Sequence, residues 1–243
     1  MIKAGIDQDA LITMFAEAGA KQGEALRKAV NEATLRALQG RELTLDNIKK
    51  VVKNVAEAAS TGIARNPTPA IDVEGMLGKA LGGIDSALLQ AVEANRKALE
   101  QFVNGGVSLT EKPLKEALAN IEKMEDVFFA AVTKASESAG PLQGPWQSAL
   151  DAMKMKGSAT GNQATQTVEQ LMSQAQTMMR EGRASGMRAA QAMLDNYAAL
   201  ASGVLIGMSE GLQAGTKRNG GSAAAPAPAP AAAKKSASRG RRR

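Results

Sequence analysis

Apolar residues recur at steps of three and four along nearly the whole chain, and no segment alternates them strictly with polar ones. Steps of three and four keep side chains on one face of an α-helix, whereas a half-buried strand needs a period of two. The expected fold class is therefore all-α. Behind Asp7 as an N-cap, Leu11, Phe15, Ala18, Leu26, Ala29, Ala33 and Leu38 approximate one stripe and predict a first helix over 7–38. Thr44 caps a second helix with Leu45, Ile48, Val52, Val55, Ala59 and Ile63, and Pro67 and Pro69 end it. A third, over 72–103, carries Leu77, Leu81, Ile84, Leu88, Ala91, Asn95, Leu99 and Phe102. A fourth opens at Thr110, with Pro113 in its first turn. Its seam is Leu114, Leu118, Ile121, Glu125, Phe128, Val132 and Ala135, with the charge of Glu125 as the one interruption.

Gly140-Pro141 and Gly144-Pro145 read as a double break. A short helix from Trp146 to Lys156 and a polar joint at 157–162 follow. Trp146, unique in the chain like Tyr197, is expected to staple its helix start onto a neighbour. The last predicted helix, 163–213, is the longest. Its stripe is Val168, Met172, Ala175, Met179, Gly182, Gly186, Ala190, Met193, Tyr197, Leu200, Val204 and Met208, a mean step close to that of a straight helix. The expected architecture is an elongated bundle of about five helices with one long C-terminal helix. The body covers 5–215, with a break at 139–145, and a disordered basic tail covers 216–243.

The chain has no His and no Cys. That removes Ser-His-Asp and Cys-His nucleophilic sites, His- or Cys-based zinc sites and disulfides. The acidic residues are scattered, mostly beside Lys or Arg, and no Gly-rich phosphate loop is present. The sequence reads as non-enzymatic, with no cofactor and no metal. The N-terminus lacks an apolar run of signal-peptide length, and the 14-residue uncharged stretch 196–209 falls short of the roughly 20 residues a membrane span needs. A cytoplasmic protein is expected.

Charge is partitioned sharply. Lys217, Arg218, Lys234, Lys235, Arg239, Arg241, Arg242 and Arg243 lie in the last 28 residues, with no acidic residue among them. Of 30 basic and 24 acidic residues, 1–215 therefore keep 22 and 24, a net −2 against +8 for the tail. Between the basic clusters, 223–230 is an Ala/Pro run that favours extended polyproline II and cannot build a core. Such an arm suits sequence-independent contact with DNA or another polyanion, since it has no aromatic to stack a base.

The last predicted helix carries a second candidate surface. Glycines stand four apart at Gly203, Gly207, Gly211 and Gly215, and at Gly182 and Gly186, and eight of the twelve methionines lie between Met153 and Met208. Small residues allow close helix approach, and Met adapts to irregular partners. Met172, Met179, Gly182, Gly186, Met193, Gly203, Gly207, Met208 and Gly211 are the candidate residues for self-association or for lying on an apolar surface.

The stretch Glu93-Ala94-Asn95-Arg96-Lys97-Ala98-Leu99-Glu100-Gln101-Phe102 resembles the Ala-x-Asn-x-x-Ala-Leu-Glu segments of phasins, and the Ala/Pro/Lys run at 227–235 is similar to the tails of some phasin-related proteins. Phasins coat polyhydroxyalkanoate storage granules, and tails of this kind contact DNA. The resemblance implies a coat or scaffold protein at a granule surface or on the nucleoid. A nucleoid-associated protein and a helical adaptor for another protein are the alternatives.

Overall fold

The computed structural model describes residues 7–21, 23–39, 41–65, 72–105, 112–180 and 201–208. Among these the structure is all-helical, with no strand. The helices are α1 (Gln8–Lys21), α2 (Gly23–Leu38), α3 (Leu45–Ala64), α4 (Val73–Asn104), α5 (Lys112–Glu122), α6 (Met124–Glu137), α7 (Gln143–Lys156) and α8 (Ala159–Arg180). Residues 201–208 are helical as well.

Several helix starts lie where their caps dictate. Asp7 accepts the Ala10 amide at 3.1 Å, Thr44 accepts that of Asn47 at 3.3 Å, and Asp72 accepts that of Gly75 at 2.9 Å. Each satisfies an amide that the first helical turn leaves without a partner.

The count of about five helices is corrected to eight among the described residues. The predicted first helix is two, α1 and α2, which fold against each other. Its stripe has an eight-residue gap between Ala18 and Leu26 with the polar Gln22 in the middle, and Gly23 opens α2 there. The fourth is also two, but only through a bend at Lys123. Its amide still donates to the Ala119 carbonyl, and its own carbonyl accepts the Val127 amide. Leu114, Leu118, Ile121, Phe128, Val132 and Ala135 consequently stay on one buried face.

Of the two expected breaks near 139–145, one is present. A 3-10 turn at Gly140–Leu142 joins α6 to α7, with Gly140 at a φ of 58°. Gly144-Pro145 makes no break, because Pro145 sits in the first turn of α7, where an amide hydrogen is not needed. The longest described helix is α4, at 32 residues, in the middle of the chain rather than at its C-terminal end.

α4 is the axle of the bundle. It packs against α2, α3, α5, α7 and α8, while α3 packs against α1, α2 and α6. All eight stripe residues predicted for α4, from Leu77 to Phe102, are buried. Two glycines set the closest crossings. A Cβ on Gly62 of α3 would lie 2.9 Å from the Phe15 Cβ and 3.0 Å from the Ile12 carbonyl of α1. One on Gly83 of α4 would lie 2.6 Å from the Arg27 carbonyl of α2. Trp146, fully buried in the first turn of α7, donates its indole N–H to Ser60 Oγ of α3 at 2.8 Å, and Ser60 donates onward to the Ala56 carbonyl.

Candidate functional site

The C-terminal helices carry the candidate surface, and the start of α8 fixes which side of it faces out. Four amides there have partners. Ser158 donates to Glu125 Oε1 of α6 at 3.3 Å, Ala159 to Asp85 Oδ2 of α4 at 2.9 Å, and Thr160 to Asp85 Oδ1 at 3.0 Å. Gly161 donates to Ser158 Oγ at 2.8 Å. The Ser158 hydroxyl also donates to Glu125, and that of Thr160 to the Asp85 carbonyl. Two carboxylates from two other helices thus meet the positive end of α8, where the dipole favours anions. Asp85 is buried, and a Cβ on Gly161 would run into the Glu125 carboxylate.

This anchoring corrects two expectations. Residues 158–161 are a helix start and not part of a polar joint, so α8 begins four residues earlier than predicted. Its buried face is Thr160, Ala164, Thr167, Leu171 and Ala175. Of the predicted stripe, Ala175 is buried, Val168 is half-buried and Met172 points outward at 46 % exposure. The carboxylates set the rotation of the helix, and the apolar pattern alone placed it about one residue off.

α8 runs parallel to α4, because its partners on α4 advance with it. Asp85 holds the Ala159 amide, Glu93 accepts from the Gln163 side chain, and Asn104 accepts from that of Gln174 at 2.8 Å. Glu93 also grips Arg96, which Glu100 holds from the other side. Burial works against the Arg96 charge, but the two carboxylates outweigh it and hold its pKa above the ordinary arginine value.

At 201–208, Ala201, Ser202 and Leu205 are buried, and Gly203 and Gly207 face outward with nothing within 4 Å of where a Cβ would sit. Met208 is half-buried. The side chain of Met179, all of Gly182, Gly186, Met193 and Gly211, and the tail cations Lys217, Arg218, Lys234, Lys235, Arg239, Arg241, Arg242 and Arg243 lie outside the described residues.

Elsewhere, an open polar groove of about 310 Å³ lies between α2 and α4, lined by Glu24, Arg27, Lys28, Asn31, Ser86 and Gln90. Its polar groups mostly serve one another or nearby residues. Arg27 donates to Ser86, Glu24 pairs with Lys79, and Gln90 Oε1 is left without a partner. Among the described residues no three acidic side chains gather as a metal site, and no helix is long and apolar enough to cross a membrane.

The fold and its surfaces define a helical bundle protein. More specifically, the chain belongs to a family of unknown function, DUF6781, which it matches over residues 1–214. No curated protein and no solved structure matches it. The family match leaves the basic tail outside.

Proposed function

We propose that this chain is a non-enzymatic, phasin-like coat or scaffold protein. Its helical body associates with copies of itself or lies on an apolar surface, and its tail holds DNA or another polyanion without reading sequence. The observation that carries this is the partition of charge, −2 over residues 1–215 and +8 over the rest. A balanced body neither attracts nor repels a polyanion strongly, so the tail supplies the tether.

Deleting 216–243 tests it. DNA binding should vanish while helix content stays, and the intact chain should show a log–log salt slope no steeper than about −7. Affinity that survives the deletion would move the contact to the body. Imaging of a tagged chain separates a coat at granule rims from a protein confined to the nucleoid.

Self-association has its own support in the outward glycines. A Cβ at Gly203 or Gly207 meets nothing within 4 Å, so with Leu at both a loss of oligomer on sedimentation together with an unchanged thermal melt would place the effect between chains. An unchanged oligomer would remove this face from the reading.

A further inference from the structure

We infer that α8 is a releasable strap across α4, closed by the Asp85 and Glu125 carboxylates and pivoting at Gly157. This inference goes beyond the coat reading and stands independently of it.

α8 is held most firmly at its start. At its N-terminus every amide from Ser158 to Gly161 has an acceptor, and the carboxylates come from two different helices, α4 and α6. Hydrogen bonds to charged acceptors are among the stronger ones a helix end can make. Past that first turn α8 keeps side-chain bonds from Gln163 to Glu93 and from Gln174 to Asn104, but its apolar hold is thin. Ala164, Thr167, Leu171 and Ala175 are the buried residues over the next four turns, and only Leu171 is a large apolar side chain. For comparison, α3 buries Ile48, Val51, Val52, Val55 and Ile63. Burial stabilises in proportion to the apolar area removed from water, so α8 gains far less per turn than α3.

One group on that face opposes docking. Thr167 is fully buried, and its hydroxyl has no hydrogen-bond partner. Water satisfies it once α8 lifts, so the hydroxyl disfavours the closed state alone. Ala201 and Leu205 are buried again downstream. A helix lightly held along its length and tightly held at its start opens when the start lets go.

The pivot is built in. Gly157 has a φ of 76°, a conformation that disfavours other residues, and only Gly157 and Ser158 separate α7 from α8. Opening exposes the flank of α4, a helix buried at almost every turn.

Hydrogen exchange on the full-length chain tests this. In the parent, the amides of 164–175 should exchange through a local opening, faster than those of α3 and α4. Gly161→Ala pushes a methyl group into the Glu125 carboxylate without changing any charge. The displaced Glu125 gives up its bonds to Ser158, which outweighs the helix propensity alanine adds, so protection across α8 should fall severalfold while α3 and α4 stay unchanged. Asp85→Asn should do the same if the bundle folds. Thr167→Val removes the unpartnered hydroxyl at nearly constant volume and should raise α8 protection by about tenfold. Exchange of α8 in step with α4 in the parent would overturn the inference, as would Gly161→Ala and Thr167→Val both leaving α8 unmoved.

Discussion

Two alanine substitutions in α4, five residues apart, should change stability in opposite directions. Replacing a mid-helix glycine with alanine favours the helix by about 1 kcal/mol, because glycine loses more backbone freedom on folding. At Gly78 nothing lies within 4 Å of the new Cβ, so that gain stands alone. At Gly83 the Cβ would sit 2.6 Å from the Arg27 carbonyl, 2.9 Å from the Val30 Cβ and 3.0 Å from its Cγ1. The first of these is backbone and cannot rotate away, so α2 must move off α4. Overpacking of this kind costs about 1–3 kcal/mol, and contact with backbone puts the cost near the upper end. The net result at Gly83 is a loss of about 2 kcal/mol against a gain of about 1 kcal/mol at Gly78. In thermal melts this separates the variants by roughly 6–12 °C, at about 2–4 °C per kcal/mol for a body of this size. Urea midpoints should order the same way with unchanged slopes. If Gly83→Ala is as stable as Gly78→Ala, helix propensity alone governs both sites and α2 does not cross α4 closely.

Trp146→Phe should cost about 2 kcal/mol in urea unfolding, from the lost bond to Ser60 and the space the smaller ring leaves. A cost under half of that would mean the indole does not tie α7 to α3. Thr44→Ala removes the cap of α3 and should cost about 1 kcal/mol by the same assay, whereas a neutral result would mean that Asn47 finds another acceptor. Glu24 is held below the ordinary carboxylate value of 4.5, chiefly by the hydrogen bond from Lys79 and then by its charge. A depressed folded-state pKa stabilises above the unfolded value, and the effect is lost as pH falls through the folded one. NMR titration of Lys79→Met should therefore show Glu24 returning toward 4.5, and salt should shrink the parent shift because the carboxyl is exposed. An unmoved Glu24 would place the cause elsewhere.

The helical class and the buried faces of α3 and α4 were legible because each rests on a single local signal repeated many times. Thr44 and Asp7 cap as their positions suggest, and the α4 stripe runs unbroken over seven turns. Rotation and start of α8 were not legible, because both depend on groups distant in sequence. Asp85 lies 74 residues from Ala159, and Glu125 lies 33 from Ser158. Two signals nonetheless stood in the chain. A glutamate in an otherwise apolar seam needs a partner, and Ser158 three residues before Gly161 has the spacing of an N-cap. The division at Lys123 left no signal, since the apolar pattern and the hydrogen bonding both pass through it.

The placement of ions on the body bears on the role of the arm. Six of the seven ion pairs among the described residues join side chains three or four apart on one helix, such as Lys28 with Glu32, Lys53 with Glu57 and Lys112 with Glu116. Neighbours at that spacing stand about 5–6 Å apart on the helix surface. At physiological salt the screening length is about 8 Å, so opposite charges this close largely cancel a short distance from the surface. Exposed pairs of this kind contribute little to stability, about 0.3–0.5 kcal/mol each. Their larger effect is to keep the body electrically quiet while it stays hydrated. The eight tail cations have no acidic neighbour within the last 28 residues and keep their full attraction for a polyanion. Swapping both members of an exposed pair, as in Lys28→Glu with Glu32→Lys, keeps that cancellation and should leave DNA affinity unchanged, whereas neutralising the tail cations should abolish it. A loss of affinity on the swap as large as that on tail neutralisation would refute the assignment of the tether to the tail.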